Sequence, residues 1–126
     1  MATSLHFHDY ELRCSHCGQN AMQPDFLEKL ERLRLEYGGP LVISSGYRCP
    51  VFNSSFRSGP QGPHTTGRAV DIVVRGRRAR RLLKNALEIG FTGIGVKQKG
   101  TGRFLHLDDL TADNYPHGPR PWVWSY

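Results

Sequence analysis

The sequence predicts an α+β domain, a small and mostly antiparallel sheet with helices packed on one face. Three observations carry that expectation. Two stretches repeat apolar residues at helical spacing, four short apolar runs are bounded by glycine or proline, and the connections are mostly brief. The chain has 126 residues, enough to bury one core, and residues 1-126 are read as a single domain.

Taken in order, Pro24 and Asp25 open the first helix, Phe26, Leu27, Leu30, Leu33 and Tyr37 form its apolar stripe, and "YGG" closes it. "PLVISSGYRCP" gives a strand from Leu41 to Ser45, then a glycine turn and a proline stop. The segment from Pro50 to Pro63 is rich in Ser, Gly, Asn and Pro and reads as a long loop, a kind of segment that often carries function. "RAVDIVV" is the second strand. The second helix runs through "RGRRARRLLK" to about Gly90, with Leu82, Leu83, Ala86, Leu87 and Ile89 on its apolar side. "GIGVK" and "FLHLDD" are two further strands joined through "QKGTGR", and the aromatic tail "GPRPWVWSY" is expected to dock on the body.

The net charge is +6, with the excess gathered in Arg75, Arg77, Arg78, Arg80, Arg81 and Lys84. Such a run is either the solvated face of an amphipathic helix or a patch that attracts polyanions. Around it there is no nucleic-acid recognition motif, so no specific nucleic-acid partner is expected. No apolar run approaches the roughly 18 residues that span a bilayer. "MATSLHFHDYEL" lacks a basic start followed by a hydrophobic block, so membrane insertion is not expected and synthesis in the cytoplasm without a signal peptide is.

Cys14, Cys17 and Cys49 are too few for a disulfide framework. "CSHC" has the spacing of half a zinc knuckle, with His16 inside it and Cys49 as a third donor, but the second half of a ribbon is missing. Buried structural thiols in a tight turn, a second, structural metal and one disulfide to Cys49 all remain open.

Asp71 interrupts the second strand's apolar run. Strand parity puts Val70, Ile72 and Val74 on one face and Ala69, Asp71 and Val73 on the other. The same count on "FLHLDD" puts Leu105 and Leu107 on one face, and Phe104, His106 and Asp108 on the other. If the apolar faces share a core and the strands are neighbours, Asp71 and His106 converge. A carboxylate in an apolar strand must be paired or bound to metal. Arg68 or Arg48 would serve as its ion-pair partner. With His64 at the strand's entrance, two imidazoles and one carboxylate make a zinc set with a fourth position left for water, as in catalytic sites. Zinc there would lower the pKa of its water towards about 7 and polarise a carbonyl.

"SSGYRCPVFN", "HTTGRAVDI" with six residues between His64 and Asp71, "GIGV", "FLHLD" and "RPWVWSY" follow one another in an order that resembles the zinc D-alanyl-D-alanine carboxypeptidase family. That family includes phage endolysin peptidases and shares its zinc-site fold with the hedgehog signalling domain. The resemblance implies zinc at His64, Asp71 and His106, and hydrolysis of an amide bond in peptidoglycan stem peptides by a DD-carboxypeptidase or endopeptidase. It implies that Arg48, with Ser45 and Tyr47 in the same segment, contacts the substrate, and that Arg48 faces its carboxylate or the developing oxyanion. Where relatives carry an acid or histidine before the third ligand, this chain has Arg103 and Phe104. Asp108 is then the expected catalytic acid/base, its other role being to orient a ligand histidine.

The expectation is a monomeric phage-type lysis enzyme that acts on the cell wall after release. The alternative is a catalytically silent zinc domain that binds a wall peptide or serves a virion structure.

Overall fold

The computed structural model describes residues 2–56 and 59–126. Five strands, β1 (Val42–Ser45), β2 (Ala69–Val73), β3 (Gly93–Lys97), β4 (Phe104–Asp108) and β5 (Trp122–Ser125), form one sheet in the order β1-β2-β4-β3-β5. The first three pairings across it are antiparallel and β5 joins β3 in parallel, so the α+β expectation holds with a mixed edge. The tail does more than dock. Its Trp122 and Tyr126 amides donate to the Thr92 and Val96 carbonyls at 2.9 and 3.2 Å, which zips it on as the edge strand.

Helix α2 (Pro24–Tyr37) buries the expected stripe of Phe26, Leu27, Leu30, Leu33 and Tyr37 and stops at Gly38 in the left-handed region. Helix α4 (Gly76–Ile89) buries Ala79, Leu82 and Ala86. Leu87, expected on that stripe, is 57% exposed. The reason is angular: Ala79, Leu82 and Ala86 step by three and four residues along one face, and Leu87 stands about 100° further round. The basic residues of α4 are exposed, and the Arg81 guanidinium lies 4.4 Å from the Tyr37 ring centroid, so the solvated-face reading describes them. No helix among the described residues is long and apolar enough to cross a membrane.

The expected loop from Pro50 to Pro63 is built instead from short helical turns: α3 (Pro50–Asn53) and 3-10 turns at Gly59–Gln61 and Pro63–Thr66. Cys49 caps α3 by accepting from the Phe52 amide, and Pro50 supplies a pre-set first helical residue. Arg57 and Ser58 of that segment lie outside the described residues. A further short helix, α1 (Asp9–Leu12), precedes the cysteine turn.

The inward face of the sheet and the helix stripes share one core, with Val70, Ile72, Leu105 and Leu107 joined to Phe26, Leu30, Leu33 and Leu82. Each of these is about 1% exposed or less. Alternation then forces Asp71 and His106 to the other face, as parity predicts. The register settles their distance, because Asp71 stands directly opposite His106 in the β2-β4 ladder. A bulge between Ile43 and Ser45 in β1 brings Ser45 opposite Asp71 on the other side.

Candidate metal centre

Three elements deliver the three expected metal ligands. His64 comes from the 3-10 turn Pro63–Thr66, which Gly67 ends at φ 76°. A side chain at Gly67 would be strained by that φ, and its Cβ would collide with the Ala21 carbonyl oxygen. The glycine of "HTTG" therefore lets the turn press against the chain before α2. Asp71 and His106 come from adjacent strands, where backbone hydrogen bonds fix their spacing. His64, Asp71 and His106 are 3%, 6% and 2% exposed.

Hydrogen bonding decides which ring nitrogens are free. His64 Nδ1 lies 2.7 Å from the Gly46 carbonyl oxygen, which only accepts. Nδ1 therefore carries the proton and Nε2 turns its lone pair to Asp71 Oδ1, 3.2 Å away. On the second imidazole the roles reverse: His106 Nε2 sits 2.7 Å from Asp108 Oδ2, and Nδ1 faces Asp71 Oδ1 at 3.1 Å. Neutral, both histidines aim lone pairs at a carboxylate oxygen that also has only lone pairs. Such a set calls for a cation. The spacing suits zinc, since a tetrahedron with ligands about 2.0–2.1 Å from its centre has edges of about 3.3 Å. All three ligand atoms lie within 4.8 Å of one another.

Protonation follows the same surroundings. Burial holds the His64 pKa below the usual range, against the pull of Asp71. Burial also opposes charge on His106, but the bonds to Asp108 and Asp71 outweigh it and raise that pKa. Burial would raise both carboxyls, yet the two histidines drive Asp71 far down and His106 with Arg120 hold Asp108 down.

Arg48 stands at the mouth of this centre. Its Nη2 donates to Asp71 Oδ2 at 3.4 Å, its Nε to Ser45 Oγ at 3.0 Å and its Nη1 to Asn53 Oδ1 at 3.4 Å. The Phe56 ring centroid lies 4.1 Å from the guanidinium carbon. Of the two arginines considered as partners for Asp71, Arg48 is the one in contact. Arg68 binds Asp25 and Asp109 instead.

Two further expected site residues are buried. Tyr47, expected to touch substrate, is 7% exposed and packed into the hydrophobic core, its amide donating to the Leu12 carbonyl, and it also lines the groove along β1. Asp108, expected as the acid/base, is fully buried behind His106. Arg120 holds both its oxygens, Nε to Oδ1 and Nη2 to Oδ2 at 2.9 Å each, and Oδ2 also receives His106. Those contacts suit the orienting role expected of it as the alternative to acid/base work.

The sequence reading did not single out Arg120, Trp124 or Asn53. Trp124 lies 5.0 Å from the His106 ring, and Asn53 is fully buried beside Arg48. A signal for the tail existed in "GIG". A Cβ at Gly93 would run into the Asp108 carboxylate, and one at Gly95 would come within 2.7 Å of Trp124 Nε1. Two glycines at alternate positions of a strand mark a face that something large approaches.

Beside the centre, a groove of about 490 Å³ follows the open edge of β1, lined by Tyr10, Val42, Ser45, Arg48 and Phe52 among others. The three metal-set residues are not in its wall, and Arg48 and Ser45 connect the two.

The family model described as Peptidase M15 matches residues 5–108. The matched span contains Arg48 and all three residues of the metal set and ends before Arg120 and Trp124. No curated protein matches the chain.

Proposed function

Because the chain belongs to the Peptidase M15 family, whose members are zinc-dependent, we propose that it hydrolyses an amide bond in peptidoglycan stem peptides, as a DD-carboxypeptidase or endopeptidase of the phage-lysis type. It works as a monomer on the wall or periplasm after release from the cytoplasm. The observation that carries this reading is the convergence of His64, Asp71 and His106 beside the Arg48 guanidinium.

Zinc held by His64, Asp71 and His106 supplies, when bound, a Lewis acid that polarises the scissile carbonyl and makes a water molecule more acidic. Around it the chain's own groups set the stage. The Gly46 carbonyl and Asp108 fix the two imidazoles in opposite tautomers, so that neither needs to reorganise. Arg120 keeps Asp108 ionised and in place. Arg48 offers N–H donors to the substrate's terminal carboxylate or to the developing oxyanion, with Ser45, Asn53 and the Phe56 ring holding its plane. An extended stem peptide reaches Arg48 along the open β1 edge. The exposed arginines of α4 favour approach to an anionic envelope.

The test is release of new amines from purified peptidoglycan, with the cut bond identified by mass spectrometry of the fragments. His64→Ala, Asp71→Ala and His106→Ala should each abolish release, as should a chelator. Release that survives all of these would sink the proposal.

One observation favours a second reading, a silent zinc domain that grips a wall peptide: both oxygens of Asp108 are already engaged. Zinc-loaded protein that binds stem peptide yet leaves it uncut over long incubation would decide for it.

A further inference from the structure

A second group of metal donors lies away from the centre just described. The sulfurs of Cys14, Cys17 and Cys49 lie within 4.8 Å of one another, and the three cysteines are not disulfide-bonded. They arrive from separate elements. Cys14 and Cys17 flank a turn closed by the Gly18 amide donating to the Cys14 carbonyl and the Cys14 amide donating to the Gln19 carbonyl, each at 2.8 Å. Cys49 is the N-cap of α3.

Each sulfur also accepts a backbone N–H at 3.4 Å: Cys14 from Cys49, Cys17 from Gln19 and Cys49 from Phe52. That pattern fits thiolates, whose charge such donors stabilise. Three thiolates this close repel one another unless a cation lies among them. His16 touches one of the three sulfurs, though it does not lie within 4.8 Å of all of them. His16 Nδ1 is 3.6 Å from Cys49 Sγ, and its ring is held parallel to Phe52 with centroids 5.6 Å apart. Zinc bonds of about 2.3 Å to sulfur and 2.0–2.1 Å to nitrogen, at tetrahedral angles, put such a pair about 3.6 Å apart.

We propose that Cys14, Cys17 and Cys49 hold a structural zinc ion separate from the His64, Asp71 and His106 centre, with His16, which touches Cys49, turning in as the fourth ligand. Four protein ligands leave no open position, so this ion does no chemistry. It fastens the N-terminal segment to the residue next to Arg48, reinforcing the bond from the Tyr47 amide to the Leu12 carbonyl at 2.8 Å. The inference stands whether or not the chain cuts peptidoglycan.

Metal content and cobalt spectra test it. Protein purified under reducing conditions with zinc present should carry two equivalents, and His64→Ala and Cys17→Ser one each. Cys17 is exposed, so serine there leaves the core packing alone. Cobalt-loaded His64→Ala should show sulfur-to-cobalt charge transfer, and cobalt-loaded Cys17→Ser should not. Chelation of His64→Ala should lower its thermal midpoint by on the order of 10 °C, a fall that Cys17→Ser shows before any chelator is added. A single equivalent in the wild type that disappears with His64→Ala would overturn the proposal. So would cobalt-loaded His64→Ala without a thiolate band, or a Cys14 or Cys17 disulfide to Cys49 that persists in reduced, zinc-loaded protein.

Discussion

The two donor clusters of this chain differ in what holds them and in what they leave open. His64, Asp71 and His106 are buried, two of them on paired strands, and each imidazole is pinned from behind by an oxygen acceptor. The cysteines and His16 sit on turns, with Cys17 exposed, and their sulfurs are met by backbone N–H groups. The first set offers three ligands beside the Arg48 guanidinium, the second three sulfurs with His16 proposed as the fourth ligand. Nitrogen and carboxylate donors on rigid strands suit a site where a substrate must enter, whereas thiolates on turns suit a fastening. Both adjoin Arg48, which bonds Asp71 of the first set and precedes Cys49 of the second.

The sharpest way to break that contrast is to remove one donor from each. His106→Ala should cut amine release by on the order of 10³-fold or more, because the Lewis acid is lost with its ligand. Cys17→Ser should leave release within about tenfold when assayed well below its thermal midpoint, since no reacting group is touched. Equal losses in the two would erase the distinction.

Asp108→Ala separates orientation from acid/base work. As an orienting group its loss should weaken zinc binding about 10–100-fold, and excess zinc should restore most of the release. A full zinc complement with release still absent would return Asp108 to the acid/base role. Gly93→Ala tests the same contact from the other strand. Its Cβ collides with the Asp108 carboxylate, so a destabilisation of about 1–3 kcal/mol is expected in chemical denaturation.

The smallest effect lies far from both clusters. Burial would raise the Glu31 carboxyl, but the His6 amide, the His6 ring and the Ser4 hydroxyl outweigh it and hold its pKa below the usual glutamate range. A depressed folded-state pKa contributes stability above the unfolded value and loses it as pH falls through the folded one. Glu31→Gln should therefore cost about 1 kcal/mol at pH 7, and the gap from wild type should narrow as pH falls through the carboxyl's lowered titration range. A gap that is constant with pH would show that the charge contributes nothing.

Much of this was legible in residue order. The α2 stripe, strands β1 to β4 and the parity that sets Asp71 and His106 opposite Val70 and Leu105 are local, because side-chain direction follows from period alone. "HTTGRAVDI" marks a candidate metal set, since a carboxylate inside an apolar strand demands a counter-charge. The short turns after Pro50 and the displacement of Leu87 were not legible, for they turn on capping and on which helix face meets the sheet.

The sequence by itself determined the two long helices, the strand faces and the candidate metal set, all set within a few residues by backbone period and by the cost of burying charge. Tertiary structure alone decided the partners. That Arg120 from the tail seals Asp108 behind His106, that Arg48 rather than Arg68 reaches Asp71, and that Cys49 closes on "CSHC" depend on strand order and on the edge position of β5. Contacts across 12, 23 and 35 residues carry no local signature, because chain connectivity constrains them only through the packing of everything between.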